Sequence, residues 1–284
     1  MDLKDYKLVW SDEFEGNELD TTKWSYSEDD QTKNNSKDNL ALVFDQGEKL
    51  VQVSDGTLKL KAYYDYENDY FVAPKTLYTK DSMSYKYGYL EVRAKIPFNK
   101  GSISSMNAFA KGAIGGQENA PYYSSMNIFY FSGLVYHITN SILKNYENYD
   151  ENHPFYEEGA NAIDSSFFSQ LWGLNTPDSF HSRYTTDVLD DFKTYGFLWT
   201  PDEVVFTVDN YTITRMSLKQ DFLRKSGMDG FRQPHYLAFK RNFVINERNP
   251  EAWIRPEVLK NQIPFEIDYV RLYQKDGEGE LNIR

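Results

Sequence analysis

The run Tyr87-Gly88-Tyr89-Leu90-Glu91-Val92-Arg93-Ala94-Lys95-Ile96 decides the fold class. Leu90, Val92, Ala94 and Ile96 alternate with Tyr89, Glu91, Arg93 and Lys95. A period of two marks a strand with one buried face, because successive side chains leave a pleated backbone on opposite sides. The same pattern recurs outward from this run. Thr57 to Ala62 places Leu58, Leu60 and Ala62 on one face. Val204-Val205-Phe206-Thr207-Val208 leads into Asp209-Asn210, a turn signal. Phe265 to Tyr273 reads as a strand with Phe265, Ile267, Tyr269 and Tyr273 on one side and Val270 and Leu272 on the other. A short helix is expected from Ser217 to Lys225, with Ser217 as its cap. Glu28 to Asp38 and Tyr146 to Ala162 read as loops. Strand signals lie on both sides of each loop, and no repeat stands out. Residues 1–284 are therefore expected to form one all-β domain, a β-sandwich of jelly-roll type.

Composition removes several functions. The 284 residues carry 43 Asp and Glu against 31 Lys and Arg, a formal net charge of −12. That balance argues against nucleic acid as a partner, which requires a basic face. With no cysteine there is no disulfide framework, Cys-ligated zinc or thiol nucleophile. A mean hydropathy of −0.68, without a long apolar run, excludes a membrane-spanning helix. The first residues, Met1-Asp2-Leu3-Lys4-Asp5-Tyr6, contain no apolar core of a signal peptide. Aromatic residues reach 17%, with 23 tyrosines. Aromatic side chains suit pleated sheets; they also stack on sugar faces, and composition alone does not choose between these uses.

Four blocks carry a resemblance. They are Leu8-Val9-Trp10-Ser11-Asp12-Glu13-Phe14 with Leu19 to Trp24 behind it, Tyr87 to Pro97, Phe192 to Asp202 closed by Val208-Asp209, and Asp268-Tyr269-Val270-Arg271-Leu272-Tyr273-Gln274. In order and extent they resemble glycoside hydrolase family 16, which includes laminarinases, lichenases, agarases and carrageenases. The resemblance implies a curved, concanavalin A-like β-sandwich with a sugar-binding cleft on its concave face. It also implies a polysaccharide or oligosaccharide partner of β-glucan or galactan type. An extracellular, cell-surface or periplasmic setting follows from the resemblance as well. Most of the block residues read as fold residues, Trp199 as a core aromatic.

Retaining glycosidases need two carboxyl groups about 5–5.5 Å apart. The family carries them on one strand as E-x-D-x-E or E-x-D-x-x-E, and the longer form needs a bulge to bring its last Glu back to the same face. The matching strand here is Ser124 to Gly133. On the longer spacing the nucleophile position holds Ser125, the middle acid Asn127, and the acid/base position Tyr130. All three carboxylates are replaced. The preceding Met106-Asn107-Ala108-Phe109-Ala110 also lacks the family's cleft tryptophans. A Tyr130 nucleophile would still need an acid/base partner; Glu91 is the nearest strand carboxylate to propose. Glu266-Ile267-Asp268 matches E-x-D only superficially, because it lies in the family's C-terminal strand.

The expectation is a glycan-binding protein without catalytic residues, with Tyr122, Tyr123, Tyr130 and Trp172 against the sugar. The alternatives are an active endo-glycosidase with relocated carboxylates and a structural or surface-assembly protein. No cofactor is required. The resemblance implies a structural Ca2+ away from the cleft, with Asp268 as ligand and Glu13 beside it, since calcium takes oxygen donors; the alternative is an unligated surface carboxylate. Lys240-Arg241 and Arg248 form a basic cluster suited to sulfate groups, or else a solvated face. His137, His153, His181 and His235 show no metal-binding spacing, and Gly112 to Gly116 lacks the lysine of a phosphate loop.

Overall fold

The computed structural model describes residues 3–28, 30, 33–34, 41–47, 49–97, 102–110, 123–132, 137–145, 163–164, 191–218, 229–243 and 263–284. In chain order the strands begin with β1 (Tyr6–Asp12), β2 (Ser25–Tyr26), β3 (Lys33–Asn34), β4 (Ala41–Asp45), β5 (Val51–Ser54), β6 (Thr57–Leu60) and β7 (Tyr63–Asp65). Next come β8 (Tyr70–Pro74), β9 (Leu77–Tyr78), β10 (Met83–Lys86), β11 (Gly88–Lys95), β12 (Ser102–Ala110), β13 (Tyr123–Ser132) and β14 (His137–Asn145). The last are β15 (Ile163–Asp164), β16 (Phe192–Trp199), β17 (Glu203–Val208), β18 (Tyr211–Ser217), β19 (His235–Phe243), β20 (Phe265–Lys275) and β21 (Glu280–Ile283). Among the described residues the one helical piece is a 3-10 turn at Asp229–Arg232. No helix among them is long and apolar enough to cross a membrane.

The fold is the expected all-β sandwich. One sheet has eight strands in the order β18-β17-β16-β11-β20-β6-β5, with β1 added on β20. The other has nine, in the order β15-β14-β13-β12-β19-β10-β21, with β9 and β2 attached beside β19. Their inner faces meet in one apolar cluster. Phe129 of β13 lies 4.6 Å from Tyr195 of β16, and Phe239 of β19 lies 6.0 Å from Phe265 of β20, between ring centroids. Each such side chain, wholly buried, contributes about 1.5–3 kcal/mol of transfer free energy. A small third sheet, β3-β4-β8-β7, packs Leu42 and Phe71 with Phe243 of β19.

The opening run forms β11, and Leu90, Val92, Ala94 and Ile96 are all fully buried. It starts from a sharp turn: Tyr87 has φ 58° and Gly88 has φ 134°. A Cβ on Gly88 would sit 2.6 Å from the Tyr273 carbonyl oxygen, so both backbone angle and space require glycine. Asp209 and Asn210 both take positive φ and close the β17–β18 hairpin, as their sequence indicates.

Three expectations need correction. The Phe265–Tyr273 strand does not keep one alternation. A register shift leaves Asp268 unpaired between Ile267 and Tyr269, so Val270 and Leu272 join Phe265 and Ile267 in the core. Tyr269 and Tyr273 turn outward, because one extra residue reverses every later side chain. Ser217 does not cap a helix; it ends β18, paired with Glu203, while residues 219–228 lie outside the described residues. The Glu28–Asp38 loop contains β3, which pairs with β4.

Candidate functional site

The candidate site is the outer face of the nine-stranded sheet, where β13 carries the positions of interest. Inner-face anchors fix the assignment: Met126, Ile128 and Phe129 of β13, Ser104 and Met106 of β12, and Leu237 and Phe239 of β19 are all buried. Ile128 and Phe129 are consecutive yet both face inward, which a regular strand forbids. The ladder gives the reason. Met106 pairs with Phe129, and Asn107 pairs with Asn127, leaving Ile128 as the extra residue of a bulge. On the other side of β13, pairing to β14 also shifts between Asn127 and Tyr130. Backbone positions 125, 127 and 130 therefore share the outer face, as the x-x spacing requires.

Register extends this face across β13, β12 and β19 and onto β9, where Tyr78, Tyr236 and Ala238 are buried together. Tyr130 pairs with Ser105, and Ser105 with Lys240. Asn127 pairs with Asn107, Asn107 with Ala238, and Ala238 with Tyr78 of β9. Ser125 pairs with Phe109, and Phe109 with Tyr236. At 125, 127 and 130 the structure describes the backbone path. Tyr78 packs edge-on against Tyr236 at 6.0 Å, with the Lys80 ammonium 5.9 Å from the Tyr78 ring centroid. Of the expected sugar-stacking residues, Tyr123 begins β13 beside Asn145 of β14. Tyr122 and Trp172 lie outside the described residues, as do the loop at 146–162, the glycines 112–116, Arg248, His153 and His181.

Glu91 does not join this face. It projects from β11 in the eight-stranded sheet and accepts hydrogen bonds from the hydroxyls of Tyr269 at 2.9 Å and Tyr89 at 3.3 Å. Burial, then the Glu91 charge, pushes the Tyr269 hydroxyl up to about 12. Glu91 thus anchors tyrosines on the opposite side of the sandwich from β13.

Glu13 and Asp268 also face guanidinium groups. Arg271 donates from Nε and Nη2 to the two oxygens of Glu13 at 3.0 and 2.7 Å, and lies 3.7 Å from the Tyr269 ring centroid. The Arg271 hydrogen bond is the main cause that holds the Glu13 carboxyl below its usual range. Arg93 pairs with Asp268 at the bulge. These carboxylates sit in two separate arginine pairs, and among the described residues no group of three metal-ligating side chains assembles. A calcium ion at these carboxylates would have to compete with both guanidinium groups.

The basic pair Lys240-Arg241 is split by the strand. Lys240 lies on the outer face and is partly exposed. Arg241 faces the core, 2% exposed, and donates from Nη1 to Ser104 Oγ at 2.9 Å, while its Nε has no hydrogen-bond partner among the described residues. Burial lowers it to about 9. His235 is also wholly buried, against Trp199 at 4.8 Å, and burial lowers it to about 4. Period-two alternation in His235-Tyr236-Leu237-Ala238-Phe239-Lys240-Arg241 was the signal for both residues: Leu237 and Phe239 mark the inner face, and His235 and Arg241 share it.

Asp12 is a further residue that spacing alone did not reveal. It accepts from Trp24 Nε1 at 2.7 Å and from the Phe14 amide at 3.1 Å. This clamp explains why the first block and its Leu19–Trp24 follow-up occur together, and it is structural.

Two stacked antiparallel sheets with a bulge in β13 define the fold as a β-sandwich of jelly-roll type. A sequence model described as "Glycosyl hydrolases family 16" matches residues 156–238, a stretch that includes β16, β17 and β18. The glucan endo-1,3-β-glucosidase A1 of Niallia circulans is 24% identical over 94% of this chain, which spans 38% of that protein. The keratan-sulfate endo-1,4-β-galactosidase of Sphingobacterium multivorum is 26% identical over 95% of this chain, which spans 56% of that protein. The solved laminarinase from Rhodothermus marinus has a TM-score of 0.65 at 21% identity, covering 95% of this chain and 97% of that one; this likeness is one of fold. The chain is thus similar to proteins of glycosyl hydrolase family 16, as its four blocks resemble that family.

Proposed function

We propose that the protein binds a polysaccharide along the outer face of the nine-stranded sheet and does not cleave it. The observation that carries this reading is β13 itself. Its bulge at Ile128 has the geometry that an E-x-D-x-x-E strand needs, yet Ser125, Asn127 and Tyr130 stand at the three positions. A retaining mechanism requires two carboxyl groups on one face. Serine and asparagine do not exchange protons near neutral pH, and a tyrosine alone lacks an acid/base partner. Glu91, the nearest strand carboxylate, is held by two tyrosines on the other sheet.

Glycan as the ligand class rests on the relatives, whose names specify action on a glucan and on keratan sulfate. Tyr122, Tyr123, Tyr130 and Trp172 are the proposed stacking residues, and no metal is assigned a role. An extracellular or cell-surface setting fits a polymeric ligand. Affinity electrophoresis in gels containing soluble β-glucans and galactans tests binding, with reducing-sugar release measured in parallel. Retardation without product is expected. Product release that is abolished by changing a single carboxylate would instead establish an active hydrolase with relocated acids. A protein that no glycan retards, and that self-associates, would be an assembly unit.

A further inference from the structure

We infer that the tip of the β7–β8 hairpin is a second glycan contact, with Tyr66 as its stacking platform, an inference that rests on the binding reading above. Among the described residues two tyrosines stay largely exposed, Tyr66 at 55% and Tyr211 at 78%. They are held differently. Tyr66 meets Tyr64 edge-on, 5.1 Å between ring centroids and 79° between planes. Tyr64 in turn lies 4.9 Å from Phe71, and Phe71 lies 5.0 Å from Phe243 of β19. This ladder of rings runs from the hairpin tip into the buried cluster of the third sheet. Tyr211 follows the β17–β18 turn and has no ring contact among the described residues. A single exposed ring is ordinary surface. An exposed ring already held in place loses less side-chain freedom when a ligand arrives.

The backbone under Tyr66 is fixed as well. The Asp69 amide donates to the Asp65 carbonyl at 2.8 Å, and Asp69 takes φ 61°. Asp65 Oδ1 accepts from the amides of Glu67 and Asn68 at 2.9 and 3.1 Å, and its Oδ2 accepts from Asn68 Nδ2 at 2.9 Å. The Tyr64 hydroxyl donates to Asp69. An Asp side chain that takes up the turn amides mimics a backbone turn and stiffens it. The Tyr66 ring offers an apolar surface to the C–H face of a sugar ring, and Glu67 and Asn68, both exposed, offer a carboxylate and an amide to its hydroxyls. Ala62 to Pro74 contains no Lys or Arg. A polyanion meets like charge there, so the ligand at this tip is an uncharged glycan. A basic peptide also suits acids, but Asp65 and Asp69 are engaged within the hairpin, which favours the sugar.

The test is affinity electrophoresis of the full chain in gels containing laminarin or lichenan, with Tyr66→Ala, Tyr66→Phe and Tyr211→Ala compared. Tyr66→Ala should raise the apparent dissociation constant roughly fivefold or more, as truncation of an aromatic anchor does, and leave the residual retardation of the nine-stranded face. Tyr66→Phe keeps the ring and should keep most of the retardation; Tyr211→Ala should change nothing. Retardation untouched by Tyr66→Ala, or reduced as much by Tyr66→Phe or Tyr211→Ala, overturns the inference and leaves glycan binding in place. An oligolysine peptide whose binding is lost in Tyr66→Ala, with retardation by both glucans intact, assigns the tip to a basic partner and overturns the inference as well. Retardation of the unaltered chain by no glycan overturns the binding reading itself, and the inference with it.

Discussion

The two outer faces of the sandwich solve the problem of exposed polar residues in opposite ways. On the eight-stranded sheet both signs of charge occur and are matched: Glu13 with Arg271, Asp268 with Arg93, Glu266 with Lys95, Glu203 with Arg215, and Glu91 with two tyrosine hydroxyls. On β12, β13, β14 and β19 of the nine-stranded sheet acids are missing, and the nearest one by register is Asp164 of β15, in one row with Ser125 through Leu143. A face whose charges cancel internally has no electrostatic demand left for a ligand. Charge pairing therefore sets the ion-paired face apart from the face proposed to bind glycan, where fold likeness cannot.

Both faces share the core wall, so the largest effect should come from breaking it. Phe129 packs inward because of the β13 bulge, against Tyr195 and Phe265 of the other sheet. Phe129→Ala should cost about 3–5 kcal/mol of stability by urea unfolding. It should also impair glycan retardation, since it loosens the bulge that sets positions 127 and 130.

Acid titration should separate the faces by pH window. His235, behind the nine-stranded sheet, is lowered to about 4 in the folded protein, against about 6.5 in an unfolded chain. The unfolded state therefore binds its proton first. Stability is fully present above pH ~6.5 and falls as pH drops towards 4, by about 3 kcal/mol. His235→Phe should remove that slope in urea titrations between those values. Glu13 on the other face is lowered by Arg271. Its contribution is present above the unfolded carboxylate range and is lost only as pH falls through its depressed folded value. Glu13→Gln should flatten the more acidic part of the curve and leave the His235 window unchanged.

Two surface changes probe the contrast with smaller expected effects on stability. Glu13→Gln at neutral pH should cost at most about 1 kcal/mol, because the arginine pair is partly exposed and screened. Ser105→Asp introduces an acid between positions 130 and 240, giving the nine-stranded face the mixed character of the other. Stability should change by less than about 0.5 kcal/mol, while retardation by a bound glycan should weaken. A loss of stability as large as that of Phe129→Ala would show that this position is core, and the contrast between faces would fail.

The sequence read well where one rule decided the outcome. Alternation in Tyr89–Ile96 identified a strand and its buried face, and Asp209-Asn210 identified a hairpin turn. It read poorly where two rules met. In β20 simple alternation predicts the wrong facing for Val270 and Leu272, because the extra residue at Asp268 resets it. Near Ser217 a capping residue was read from local pattern, while strand pairing with Glu203 prevailed. For the site, the bulge in β13 was legible because the family spacing demands it. The partners of Glu13, Glu91 and Asp268 were not legible, because they come from strands more than a hundred residues away in sequence or, for the Glu91–Tyr89 bond, from the same face of β11. The opposite facing of Lys240 and Arg241 was available from period two alone.

The bulge at Ile128 has a consequence for how such a protein can change over time. Ile128 and Phe129 are held by the hydrophobic interior, not by anything on the outer surface. The backbone shape that an acid triad needs is therefore maintained by selection for folding, whatever the outer side chains do. Substitutions at 125, 127 and 130 are free to drift, to take on a binding role or to revert, while the strand beneath them stays in place. A lineage with this architecture can lose a chemistry without losing the template on which that chemistry was written.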